Sequence, residues 1–330
     1  MNFSYAKREA PVVACLGELL IDFIAEETGS LDVAKSFRRY PGGAPANVAV
    51  GIARLGVASG FIGKVGADTF GNFLISVLKQ NNVDTSAIIQ TSKAPTALAF
   101  VSRSASGDRD FLFYRNPCAD LLLSKAELPH AWFNQLEFLH VGGVSLTREP
   151  SRHATIHAAK LARQKGAKVT FDPNLRLDLW ADGIDECRKV AHNLLGYVNI
   201  FLPSREELLE LMAVADLNEA IALAHKYGPS IICVKMGPEG SLVSVKEQNS
   251  DIRQFHQQPF TVNVVDTTGA GDGYDAGFIV GLVRGLSLEE AVLEGTAVAS
   301  SVITKMGAMT ALPTTAELAH FFRKHKPTES

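Results

Sequence analysis

Asp266-Thr267-Thr268-Gly269-Ala270-Gly271-Asp272-Gly273-Tyr274-Asp275-Ala276-Gly277 is the stretch whose reading decides the fold. The apolar run Phe260–Val265 before it predicts a strand. Behind it Phe278, Ile279, Leu282 and Val283 recur at helical spacing. A chain that turns through glycines into a helix leaves the first backbone N–H groups unpaired at the positive end of the macrodipole, which makes an anion site. The segment is not G-x-x-x-x-G-K-[ST], because no Lys-Ser/Thr pair follows. It is not G-x-G-x-x-G either, because position 274 is Tyr. Asp272 stands at the mouth of this site, where a pocket built only to hold phosphate would avoid a carboxylate. Two readings are open: a base that takes a proton from a hydroxyl beside a phosphoryl group, or a helix N-cap.

Working outward, short apolar runs alternate with amphipathic ones. Val12–Leu16, Gly60–Val65, Phe138–Val141, Lys168–Phe171, Asn199–Leu202 and Ile231–Val234 read as buried strands. Between them, Val48, Ile52 and Leu55 fall at i, i+4 and i+7, with Pro45 suited to a helix start and Gly56 to its stop. Phe70, Phe73, Leu74, Val77 and Leu78 repeat the pattern after Asp68. The alternation predicts an α/β fold whose mainly parallel sheet is covered on both faces. Two regions break the rhythm. Glu26–Tyr40 shows no convincing helix. Thr96–Arg115 reads as the strands Ala97–Ser102 and Asp110–Tyr114 around a turn at Gly107-Asp108, a small antiparallel sheet able to cover a site.

The 330 residues hold 32 Lys and Arg against 35 Asp and Glu, a formal charge of -3. That balance lacks the basic excess of a nucleic-acid footprint. Cys15, Cys118, Cys187 and Cys233 are scattered without a C-x-x-C pair, which argues against a zinc site or disulfide framework and for a reducing, cytoplasmic setting. Glu18 and Asp22 interrupt the first apolar run, so it does not read as a signal peptide. No run approaches the roughly 18 apolar residues that span a bilayer.

Pro41-Gly42-Gly43-Ala44-Pro45-Ala46-Asn47 is a second glycine turn at a helix start. Its glycines permit close backbone approach, and Asn47 offers donor and acceptor to hydroxyls. By itself it reads as a tight turn before a surface Asn. Together, GGAPANVAVGIARLG (42–56) and DTTGAGDGYDAG (266–277) resemble the two signatures of the ribokinase-like sugar kinases, the PfkB family. Gly273 and Tyr274 replace the usual Ala and Phe but keep the loop and an aromatic ring. The resemblance runs from about Val12 to Pro313.

The resemblance implies a three-layer α/β/α fold with a mainly parallel central sheet and a small antiparallel β lid. It implies one kinase domain over 1–330, with lid strands from about 24–40 and 96–115. The implied activity is ATP-dependent phosphorylation of a sugar with Mg2+, in a homodimer formed through the lid. Asp272 becomes the catalytic base, with the backbone of Gly269, Ala270 and Gly271 at the transferred phosphoryl group. Asp22, Gly42, Gly43, Asn47, Arg115 and Asn174 correspond to sugar contacts. Arg176, Ser204, Lys235, Gly237, Gly240 and Thr267 correspond to nucleotide contacts, as do Gly269 and Gly271. Glu207 corresponds to a residue that binds Mg2+ through water. Asp266 and Thr268, with backbone from Val302, Lys305 and Gly307, correspond to a monovalent-cation site for K+, although Ala311 stands where Ser is frequent.

Competing readings stay open at four places. Arg115 also reads as a solvated strand-end charge. Arg176 also reads as a partner of Asp178. Ser204-x-x-Glu207 is also a capping box, like Ser287-x-x-Glu290 and Thr314-x-x-Glu317. Lys235–Gly240 is also a plain hairpin turn. Within the family the phrases TALAFV (96–101), FYRNPCAD (113–120), DPNLR (172–176) and KMGAMTALP (305–313) resemble fructokinases and aminoimidazole riboside kinases. Fructose is the expected substrate. The alternatives are 2-keto-3-deoxygluconate, for which Arg38, Arg39 and Arg115 are available cations, aminoimidazole riboside, or a non-catalytic sugar or nucleotide sensor.

Overall fold

The computed structural model describes residues 10–103, 109–247 and 251–325. In chain order the strands are β1 Val13–Leu16, β2 Leu20–Ala25, β3 Phe37–Gly42, β4 Ser59–Gly66, β5 Ile88–Thr91, β6 Leu98–Arg103, β7 Arg109–Tyr114, β8 Phe138–Gly142, β9 Lys168–Asp172, β10 Ile200–Phe201, β11 Ile231–Lys235, β12 Ser241–Lys246 and β13 Ile252–Gln257. The helices are α1 Ala44–Arg54, α2 Thr69–Gln80, α3 Ser151–Gln164, α4 Gly183–Leu195, α5 Arg205–Met212, α6 Leu217–Tyr227, α7 Ala270–Val283, α8 Leu288–Val302 and α9 Thr315–Lys324.

Nine strands form one sheet in the order β13-β12-β11-β10-β9-β8-β1-β4-β5. Pairing is parallel from β5 to β11, and antiparallel only at β12 and β13. The uninterrupted apolar spelling of Val13–Leu16 follows from burial on both faces, where water favours no alternation. Side chains of α1, α2, α7, α8 and α9 join the core on one face. Those of α3, α4, α5 and α6 form the core on the other. The expected three layers are therefore present.

A separate four-stranded sheet has the order β3-β2-β6-β7. Here the expectation of an antiparallel lid needs correction, because β2 and β6 pair in parallel. They are joined by the long excursion through β4, α2 and β5 rather than by a hairpin, which allows both to run the same way. The expected turn at Gly107-Asp108 lies outside the described residues. The predicted strand Phe260–Val265 is also corrected. Beyond a single bridge position at Phe260 the segment is irregular, with Val264 and Val265 exposed. Pro259 supplies no N–H, and Val265 and Asp266 donate to the Ile303 carbonyl at the end of α8 instead of to a strand.

The helix that opens at the glycine turn is buried on every side from Asp272 to Gly281. Glycines make this possible. Gly277 lies against Gly295 and Val298 of α8, Gly281 against Ala291, and Gly51 of α1 against Ala276. A methyl group on Gly277 would sit 2.7 Å from Val298 Cγ2 and 2.9 Å from the Glu294 carbonyl oxygen. Gly277→Ala is expected to destabilise by roughly 1–3 kcal/mol through overpacking. The measurement is a lower denaturant midpoint at unchanged slope; an unmoved midpoint would mean that α7 and α8 separate freely.

Candidate active site

Strand order reverses between β1 and β8, the sheet continuing outward from each in opposite chain directions. Ligands of open α/β sheets bind beyond the carboxyl ends of strands at such a reversal. A cavity of about 630 Å³ lies there. Asp172 and Lys235 reach it from the last residues of β9 and β11, and Glu18 from just after β1. Lid residues Asp22, Phe111 and Phe113 close one side.

Asp272 is the third residue of α7, whose N-cap is Gly269 at φ +76°, a conformation glycine adopts without strain. The N-cap reading of Asp272 is thereby excluded. Its Oδ2 accepts a 2.7 Å hydrogen bond from Asn47 Nδ2, joining residues 225 apart in sequence. Burial pushes its carboxyl up to about 6, against the pull of Asn47. The N–H groups of Gly271 and Asp272 find no acceptor among the hydrogen bonds of the described residues and remain for a ligand. Asn47 is buried rather than a surface residue, and its Oδ1 has no partner.

Glu18 is buried, takes the Ala44 N–H at 2.9 Å on Oε1, and has no partner on Oε2. Burial lifts its carboxyl to about 7. Gly43, at φ +107°, caps α1 with its Cα face against the Glu18 backbone, too close for a side chain. Gly42 leaves the space that the Asp22 carboxylate occupies. The cavity thus offers buried acceptors to a ligand rich in hydroxyl donors. Glu18 is a functional candidate that sequence reasoning passed over. Its signal was a carboxylate inside an otherwise apolar run.

On the opposite side Lys235 Nζ lies 2.8 Å from Asp172 Oδ2. Burial works against that charge, but the ammonium of Lys235 holds the Asp172 carboxyl below its usual range. Asp172 Oδ1 also takes the Asn174 N–H at 3.1 Å, which turns Asn174 (φ +39°) toward the cavity. Ser204 and Glu207 form the capping box of α5, and the Glu207 carboxylate takes the N–H groups of Ser204 and Leu175 at 2.8 and 2.7 Å. Burial and the nearby Asp172 raise its pKa. The other two capping boxes are present as well, at α8 and α9. No group of three or more ligating side chains is found among the described residues. Two carboxylates beside an anion site fit Mg2+, which keeps waters and phosphate oxygens as ligands rather than entering an all-protein cage.

A second, less polar cavity of about 610 Å³ shares Lys235, Gly237, Thr267, Ala270 and Gly271 with the first and continues past Gly240, Phe260 and Tyr274. The Lys235–Gly240 segment is indeed the β11–β12 hairpin turn, and it also walls both cavities. Asp266 accepts from Thr268 N–H and Oγ1 at 3.0 and 2.7 Å and from the Gly307 N–H at 2.9 Å. Lys305 donates its N–H to the Val302 carbonyl beside them. The five residues expected at a monovalent cation are thus neighbours beside the turn, and Thr268 among them also lines the cavity.

Arg115 is corrected on both readings. It is buried, not a solvated strand-end charge, and it pairs with buried Asp120 instead of lining the cavity. Its charge acts on the cavity acid Glu18, whose ionised form it favours. Arg176 lines the cavity with its guanidinium over the Phe111 ring, and it donates to the Leu175 carbonyl rather than to Asp178. Arg38 pairs with exposed Glu26, and Arg39 stacks on Phe73, so neither faces the cavity.

The pfkB family carbohydrate kinase pattern matches residues 11–315. Over 317 residues the chain is 41% identical to the probable fructokinase-6, chloroplastic, of Arabidopsis thaliana, covering 93% of this chain and 81% of that protein. It is 36% identical to fructokinase-1 of Oryza sativa subsp. japonica, covering 93% and 96%. A fructokinase double mutant from Vibrio cholerae O395, solved with fructose, ADP and potassium ion bound, superposes with a TM-score of 0.82 at 29% identity, covering 95% of this chain and 99% of that one. A carboxylate at the positive mouth of a buried helix, between a hydroxyl-accepting cavity and a less polar cleft, is what this kinship would require, and the chain belongs to the pfkB family of carbohydrate kinases.

Proposed function

We propose that the chain transfers the γ-phosphoryl group of ATP to the primary hydroxyl of D-fructose, giving fructose 6-phosphate. The observation that carries this reading is Asp272, buried at the start of α7, hydrogen-bonded to Asn47 and raised to about 6. A carboxyl there is largely ionised at neutral pH yet basic enough to accept a hydroxyl proton as the oxygen attacks. The free N–H groups of Gly271 and Asp272 face the developing charge of the transferred group, and Arg176 adds a guanidinium. The less polar cleft past Gly240 and Tyr274 suits an adenine ring. Magnesium, when bound with the nucleotide, neutralises phosphate oxygens; Glu207 and Asp172 are placed to hold its waters. Lid residues Phe111 and Phe113 exclude water from the sugar side.

The unpartnered acceptors Glu18 Oε2 and Asn47 Oδ1, on a wall that Asp22 also lines, suit a neutral polyol. They oppose an acidic sugar such as 2-keto-3-deoxygluconate, since Arg38 and Arg39 are engaged elsewhere. The fructokinase relatives and the fructose held by the Vibrio cholerae structure support the ketose. The same reading makes the whole chain one kinase unit, active in the cytoplasm, where its four free buried cysteines stay reduced. No helix among the described residues is long and apolar enough to cross a membrane. Potassium is assigned to Asp266, Thr268 and Gly307. A homodimer is assigned to the lid, whose edge strand β7 exposes Leu112 and Tyr114.

Coupled ADP-release measurements over a sugar panel should show turnover with fructose, and tight binding without turnover would favour the sensor. Asp272→Asn should lower kcat by roughly 10²–10⁴-fold, and wild-type turnover in that variant would end the assignment of the base. Because the base works only when ionised, kcat/KM should fall as pH drops through about 6. Asn47→Ala removes a donor that favours the carboxylate, so this limb should move to higher pH; it should persist in Glu18→Gln, which deletes the neighbouring group near 7. Equal rates in potassium and lithium salts would dismiss the cation, and a monomer in sedimentation would dismiss the dimer.

A further inference from the structure

Asp275 takes no part in the mechanism above, yet it is the most enclosed acidic group in the site. It lies three residues after Asp272, one turn along α7, and is 0% exposed. Its Oδ1 is 3.3 Å from Lys235 Nζ, and burial together with the adjoining Asp172, to which it is hydrogen-bonded, pushes its carboxyl well above the usual range. The residues that follow it, Ala276 to Gly281, are all apolar. An alkyl side chain at 275 would satisfy such a helix, whereas a carboxyl enclosed there must be held by polar partners at a cost in desolvation. Groups kept at that cost mark functional sites.

The neighbour is Lys235. Its ammonium has three donors. One meets Asp172 Oδ2 at 2.8 Å and a second meets Asp275 Oδ1. The third is left on the cavity that Lys235 lines. A Cβ built on Gly271 would fall 3.4 Å from Nζ, so the cation lies directly beneath the second glycine of the turn. It therefore underlies the same anion position that the Gly271 and Asp272 N–H groups address.

We propose that Asp275 is a positioning residue for phosphoryl transfer: with Asp172 it clamps the Lys235 ammonium beneath Gly271, so that the remaining N–H is presented to the transferred group at the mouth of α7. The inference rests on the kinase reading of the cavity. It assigns two acidic side chains on different elements, the end of β9 and the second turn of α7, to one cation on a third, the end of β11. A long flexible lysine held from two sides loses the rotamer freedom that would let it wander from the phosphoryl oxygen.

The test uses the full chain with ATP and fructose, comparing wild type, Asp275→Asn, Lys235→Met and the double variant. Asparagine keeps the volume of the side chain, so the fold is retained and the thermal midpoint checks it. Asp275→Asn and Lys235→Met should each lower kcat roughly ten- to hundredfold with the fructose KM unchanged. The double variant should be no slower than Lys235→Met, because the aspartate acts only through the lysine. A wild-type kcat for Asp275→Asn, or a double variant that loses the product of the two single effects, would overturn the clamp. A wild type that phosphorylates no sugar would bring down the kinase reading together with the clamp, whereas an unaffected Asp275→Asn beside an active wild type brings down the clamp alone.

Discussion

The hydrogen bond from Asn47 to Asp272 ties the start of α1 to the start of α7 across 2.7 Å. Both helices open on glycine turns, and both bring their positive ends to one cavity. Everything else in the site is arranged around that meeting. The chain must bury a carboxylate to raise its basicity, and burial of a charge is tolerated only where donors face it. Asn47 supplies a donor, and the helix end supplies a favourable field. The rest of α7 then has to be buried as well, which explains the glycines that let α1 and α8 close upon it.

The parallel sheet was legible because its strands are buried on both faces, so that Val13–Leu16 is a continuous apolar run and its neighbours are largely apolar. Both glycine turns were legible for a similar reason: close backbone approach leaves few residue types to choose from. The failures share one cause. Phe260–Val265 has the composition of a strand, but Phe260, Val262 and Val264 line the cleft beside Tyr274 and the Val265 N–H goes to the end of α8. Composition registers what is apolar, not what it is apolar against. The parallel pairing of β2 with β6 likewise depends on a contact between segments far apart in the chain.

Charged residues were the hardest to place. Arg115 looked available to a ligand and is instead enclosed with Asp120, where removing either partner would strand a charge. Glu18 looked like an interruption of a core strand and is instead an acceptor in the cavity. In each case the sign of the charge was visible and its partner was not. Partners come from elements separated by scores of residues, as Lys235 does for Asp172.

Only Gly17, Glu18 and Leu19 separate β1 of the central sheet from β2 of the lid. Of two cavity acids, Glu18 therefore rides on the segment that joins cover to base and Asp22 on the first strand of the cover. The cover of this enzyme is no interchangeable module. Recombination that imported foreign lid strands would import a foreign set of hydroxyl acceptors with them, so a change of gate and a change of taste would be inherited together.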